Sequence, residues 1–233
     1  MGKNISRRDV LKAGLFGAGA LVLGIGGIYQ FNKPTLANRL LERFPETIQG
    51  ARDIHKYEIE NANKTLVHVK QAHIAKEITP EQRDYIARVQ KDIYQILKYL
   101  NETQGINEVY SEGLIKKKGI NLNLDLSFYD AKTGEITDAP ALLELEGKIK
   151  QILVEDTKIY LEALMPNATM KNIFSDRENA ALDIISKSQK PLNVLVYGGL
   201  HWFGDNIHEW NQRNPNKKYS LIEITPKNYG NKK

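Results

Sequence analysis

The sequence predicts an α/β domain, a largely parallel central sheet flanked by helices, with an N-terminal helical anchor and linker. Three observations predict it. Short apolar runs rich in β-branched residues alternate with amphipathic stretches of about ten or more residues, the pattern of parallel strands joined by crossover helices. The 233 residues, 41% hydrophobic and 26% charged, suffice for one sizeable core and fall outside disordered or collagen-like composition. The first thirty-odd residues differ in character from the rest. The organisation therefore reads as a signal or anchor over 1–33, a helical linker over 34–63, and a single α/β domain over 64–233.

The N-terminus, MGKNISRRDVLKAGLFGAGALVLGIGGIYQF, sets a basic region before an apolar run from Ala13 to Ile28. That is the layout of a secretory segment. Ser6-Arg7-Arg8-Asp9-Val10-Leu11-Lys12 resembles the twin-arginine export signal, with Val10 where Phe is usual. The run is shorter than the roughly 20 residues of a spanning helix, and Thr35-Leu36-Ala37 is a marginal cleavage site, so cleavage and retention as an anchor both stay open. The expected partners are the twin-arginine export machinery and, through this segment, the membrane. The expected location is outside the cytoplasmic membrane, with the body translocated. No cysteine is present, so the exported fold rests on its core rather than on disulfides.

From Pro34 to Asn63, apolar residues at helix-like spacing broken by Pro45 predict one or two helices. Thr65–His73 alternates and predicts a strand. Thr79-Pro80-Glu81-Gln82 opens an amphipathic helix carrying Tyr85, Ile86, Val89, Ile93, Ile96, Leu97 and Leu100. Ile106–Ser111 predicts a second strand. The polar, turn-rich stretch after it suits an insertion or a small hairpin around Thr133-Gly134. Ala141–Glu146 reads as helix, Ile149–Val154 as strand and Glu155–Met165 as helix. Asp176–Ser188 is helix, Leu192–Tyr197 strand, Asp205–Gln212 helix and Tyr219–Ile224 the last strand.

The net charge of +5 and isoelectric point near 9.1 suit a nucleic-acid binder only at first glance. Lys3, Arg7, Arg8, Lys12 and Lys33 against Asp9 place four of the five net charges in the N-terminal segment. The run Lys116-Lys117-Lys118 has no interleaved aromatics, so nucleic acid is not an expected partner.

Ligands of parallel sheets sit at the carboxyl ends of strands, which directs attention to His73, Glu112, Glu155 with Asp156, and His201. Two histidines and a carboxylate at neighbouring strand ends suit a divalent metal, with His73, Glu112 and His201 as ligands. They suit equally a metal-free acid/base set in which a carboxylate raises the basicity of a histidine. His201 follows Gly198-Gly199 in NVLVYGGLHWFGDN, where glycines let the backbone turn or approach another group closely. His68 reads as a structural or solvent-facing strand residue, His55 as a surface residue of the linker, and His208 as separate from His201. Tyr110, Tyr197 and Trp202, with Phe203, are candidate walls of a pocket, and haem is the alternative cofactor to a divalent metal. No nucleophile elbow, zinc-protease motif or phosphate-binding loop is present.

Gly198-Gly199-Leu200-His201, Glu112-Gly113-Leu114 and His73, each after a strand, together resemble the erythromycin esterase, ChaN-like and Tiki/TraB superfamily. The resemblance spans roughly Thr65 to Ile224. It is fullest from Ser175 to Ile207, where Arg177 with Glu178 is similar to the family's Arg-bearing helix. Glu155 and Asp156 are similar to an acidic segment of some members. The first G-x-x-H motif departs, with Lys70 in place of glycine in Lys70-Gln71-Ala72-His73. The resemblance implies a hydrolase of esterase or peptidase type in which His73, Glu112 and His201 converge and Arg177 orients the carboxylate or binds an anionic group. It implies as alternatives a non-catalytic binder of haem, iron or a hydrophobic ligand, or a degenerate interaction module. The small-molecule or peptide ligand is not specified by the sequence.

Overall fold

A computed structural model of the chain describes residues 35–72, 79–114, 129–130, 135–156, 158–159 and 170–230. The N-terminal segment with its twin-arginine motif, and His73, lie outside the described residues. So does most of the helix expected after Glu155. No helix among the described residues is long and apolar enough to cross a membrane.

The α/β expectation holds. In chain order the elements are helix α1 (Leu36–Arg43), strands β1 (Ala51–Tyr57) and β2 (Lys64–Gln71), helix α2 (Pro80–Gln104) and strand β3 (Glu108–Leu114). A two-stranded antiparallel ribbon follows, β4 (Tyr129–Asp130) with β5 (Glu135–Ile136), then α3 (Ala139–Leu145), β6 (Lys150–Glu155) and α4 (Met170–Ile185). The chain continues through β7 (Leu192–Gly198), α5 (Phe203–Arg213) and β8 (Tyr219–Pro226). The main sheet has six strands in the order β1-β8-β2-β7-β3-β6. All its pairings are parallel except β1 with β8.

Alternation along the strands sorts side chains onto two faces. Val67, Val69, Val194, Val196, Ile222 and Ile224 point into one core with Leu41 of α1, Val89, Ile93, Ile96 and Leu97 of α2, and Leu143 of α3. Leu66, Tyr110, Leu195, Tyr197, Tyr219 and Leu221 point into the other with Ala181, Leu182 and Ile185 of α4 and Phe203 and Ile207 of α5. The result is three layers, helix on sheet on helix. Helix α2 starts as its sequence predicts. The Thr79 hydroxyl accepts from the Gln82 N–H, and the Gln82 side chain accepts from the Thr79 N–H. The helix ends at Gly105, whose φ of 66° is the left-handed conformation that glycine adopts cheaply.

The stretch expected to be a helical linker departs from expectation. It is helical only over α1. Residues Ala51–Tyr57 are instead a strand, paired antiparallel with β8 from Ala51 opposite Pro226 to Tyr57 opposite Leu221. At the sheet edge it is only partly covered, with Ala51 and Ile54 packed toward one core and Tyr57 toward the other, so its charged residues keep access to solvent. Other differences are of boundaries. Strand β3 runs on through Glu112, and Glu155 closes β6 rather than opening a helix.

The order of strands creates a switch point. β3 and β7 are neighbours, yet the chain leaves β3 toward α3 and β6 on one side and leaves β7 toward α5 and β8 on the other. Open α/β sheets hold their ligands in such a crevice, outside the carboxyl ends of the diverging strands.

Candidate functional site

Glu112 stands at that crevice. Its Oε2 accepts the Gly198 N–H at 2.6 Å, joining the carboxyl ends of β3 and β7. Its Oε1 lies 2.5 Å from Nη2 of Arg177, which descends from α4. The same guanidinium donates Nε–H to Glu155 Oε2 at 3.1 Å and Nη2–H to Glu155 Oε1 at 2.8 Å, a two-pronged grip on the last residue of β6. Glu155 also accepts the Tyr197 hydroxyl. One arginine thus ties together the ends of β3 and β6, and through Gly198 and Tyr197 the end of β7.

Electrostatics follow from burial. Burial alone would lower the Arg177 pKa, but Glu155 and Glu112 beside it outweigh that and hold it above its ordinary value. Burial pushes the Tyr197 phenol well above the usual range, and the Glu155 carboxylate pushes it further. Tyr197 is fully buried and is held as a protonated donor. A phenol so held is poorly suited to serve as an anionic ligand to haem iron.

His201 is aimed by a different carboxylate. The backbone turns after Gly198, with the His201 N–H returning to the Gly198 carbonyl at 3.0 Å. This brings the imidazole Nδ1 to 3.0 Å from Glu178 Oε1, with the two side chains 4% and 7% exposed. The same oxygen accepts the Trp202 N–H at 3.1 Å, fixing the carboxylate at the start of α5. The imidazole is clamped edge-to-face between Phe174, at 4.7 Å between ring centres, and Tyr197, at 4.6 Å. With Nδ1–H donated to Glu178, the lone pair resides on Nε2.

Gly199 lies directly against the Tyr229 ring, which any side chain at 199 would have to displace. A Cβ there would lie 2.0 Å from the Tyr229 hydroxyl and 2.2 Å from its ring carbon Cζ. The Gly199 N–H meets the Gln71 carbonyl at 3.0 Å, so the turn also holds the end of β2.

The sequence-predicted residues are therefore distributed as follows. Arg177 meets Glu112 at 2.5 Å. His201 pairs with Glu178 rather than Glu112, and Tyr197 bridges the two groups. His73 lies outside the described residues. Among the described residues, no group of three or more His, Cys, Asp or Glu side chains is arranged to hold a metal ion. Tyr110 is buried on the same face of the sheet as Tyr197, and Trp202 is half-buried against Tyr57 at 5.5 Å between ring centres. Lys70 pairs with Glu223 at 2.7 Å.

Glu178 is the residue whose role sequence reasoning missed. The signal was present, since Glu178 falls in line with Ala181, Leu182 and Ile185 on the buried face of α4. A carboxylate on an apolar stripe demands a partner. Comparisons of the chain with models of known protein families, with curated proteins and with solved structures find no match.

Proposed function

We propose that this protein is an exported, membrane-tethered hydrolase-like domain that works by metal-free acid/base chemistry at the carboxyl edge of its sheet. Export rests on the twin-arginine motif Ser6-Arg7-Arg8 and the apolar run behind it. The catalytic reading rests on one observation, the buried Glu178–His201 pair beside the β3/β7 crevice. A carboxylate on Nδ1 fixes the tautomer and stabilises the imidazolium that forms when Nε2 takes a proton.

In this reading His201 Nε2 removes a proton from water as its oxygen attacks an ester or amide carbonyl. The bond from carbonyl carbon to leaving group then breaks, and the imidazolium returns the proton to the departing oxygen or nitrogen. Glu112, held by Arg177 and by the Gly198 N–H, fixes the turn that carries His201. His73, expected as the second histidine, lies outside the described residues. The metal-free form is favoured because both Glu112 oxygens are already engaged, one by Arg177 and the other by the Gly198 N–H.

The test is hydrolysis of a panel of activated acyl esters by the full chain and by His201→Gln and Glu178→Gln. Loss of a general base predicts a fall of about 10²–10⁴-fold in kcat for His201→Gln, with an intermediate loss for Glu178→Gln. Ester hydrolysis by folded His201→Gln at the wild-type rate would refute the assignment.

A further inference from the structure

The turn that leads into His201 brings no anchoring side chain of its own. Gly198 and Gly199 have none, and Leu200 stands 82% exposed. Its backbone is held from outside, by Glu112 on the Gly198 N–H and by the Gln71 carbonyl on the Gly199 N–H. A third support comes from the turn after β8, residues 227–230. The tip of the Tyr229 ring lies on Gly199, so close that a Cβ added there would fall 2.6 Å from its Cε2.

That second turn is fixed more firmly than a connection needs. Lys227 and Gly230 are exposed, where water can satisfy a backbone N–H. Yet all four N–H groups of the turn are donated within the protein. Lys227 gives its N–H to the Gly50 carbonyl at 2.8 Å, Asn228 to Asp92 Oδ2 at 2.7 Å, Tyr229 to the Pro226 carbonyl at 3.1 Å and Gly230 to the Tyr85 hydroxyl at 3.0 Å. The Asn228 side-chain amide donates to the same Asp92 oxygen at 2.9 Å, and Arg52 Nη1 donates to the Tyr229 carbonyl at 2.8 Å. Asp92 and Tyr85 both stand on α2, and Asp92 is buried. Tyr229, like Tyr85 and Ala72, packs against the core on the α2 side of the sheet. Fixing the backbone on both sides of Tyr229 narrows the positions its ring can take.

We infer that Tyr229 is a positioning residue for His201, carrying the rigidity of α2 and β1 to the Gly199 backbone. Its ring holds the turn from the α2 side of the sheet, while Glu178 of α4 holds the imidazole from the other. Without the ring, the turn keeps its backbone bonds but loses the surface that limits how far Gly199 can shift, and His201 follows two residues later. This rests on the hydrolytic reading above and adds to it what fixes the base.

The experiment uses the full chain in mild detergent, labelled with ¹⁵N-histidine, as wild type, Tyr229→Ala, Tyr229→Phe, Gly199→Ala and the double variant of Gly199→Ala with Tyr229→Ala. The His201 ring nitrogen signals should move in Tyr229→Ala and stay in place in Tyr229→Phe, which keeps the ring. For activated acyl esters, kcat should fall by about 10²-fold in Tyr229→Ala with KM little changed, since the base and not the substrate is misplaced. Unchanged His201 signals in folded Tyr229→Ala overturn the inference. The double variant tests the contact itself. If the ring and the turn press on each other, Gly199→Ala should disturb His201 less in the Tyr229→Ala background than in wild type. Equal disturbance in both backgrounds overturns the inference. If Tyr229→Ala does not fold, Tyr229→Leu takes its place under the same criteria. A wild-type chain that cleaves none of the esters refutes the hydrolytic reading and leaves the His201 signals to decide the positioning role separately.

Discussion

His68 lies fully buried in β2, with one ring nitrogen on the Tyr197 carbonyl and the other without a partner. Burial drives its pKa from 6.5 down to about 3, with Lys70 adding to the fall. The folded chain therefore keeps it neutral while the unfolded chain protonates it below pH 6.5. The unfolded state binds more protons in the window from about 6.5 to about 3, so stability falls as pH drops through that window. Between pH 7 and pH 4 this one group removes on the order of 3 kcal/mol. Denaturant melts across that range should show a steeper loss for wild type than for His68→Gln, whose amide N–H can still reach Tyr197. Parallel curves would show that His68 is not buried neutral. The sequence placed His68 inside a strand but left its face open, because Leu66 and Val67 are both apolar and do not say which side is covered.

At the scale of elements, the ends of α2 carry a direct test. Thr79 and Gln82 satisfy each other's backbone donors, so Thr79→Ala should cost about 1 kcal/mol in a chemical melt with activity retained. No change would mean that the cap is not formed in solution. This helix was legible because its cap, its proline and its apolar stripe all agree. Strand β1 was not legible. Ala51-Arg52-Asp53-Ile54-His55-Lys56-Tyr57 is mostly half-exposed, and its strand character comes from pairing with β8, more than 160 residues later. The β3 and β7 ends drew notice because polar residues stand there beside glycines, and Glu112 and Gly198 meet there. The role of α4 was only half legible, since Arg177 drew notice while its neighbour Glu178 turned out to hold His201.

For the whole molecule, function depends on which strands become neighbours. The order β1-β8-β2-β7-β3-β6 brings Glu112 of β3 against Gly198 of β7, and Arg177 locks both to Glu155 of β6. None of these pairings is local in sequence, so strand ends could be nominated from the sequence but their partners could not. The most direct test of the central claim is the protonation state of His201, read by nitrogen NMR of ¹⁵N-histidine-labelled chain and assigned with His201→Gln. The account predicts Nδ1 protonated and Nε2 bare in wild type, with that preference lost in Glu178→Gln. Finding Nε2 protonated in wild type at pH 8 would contradict the assignment of His201 as the base.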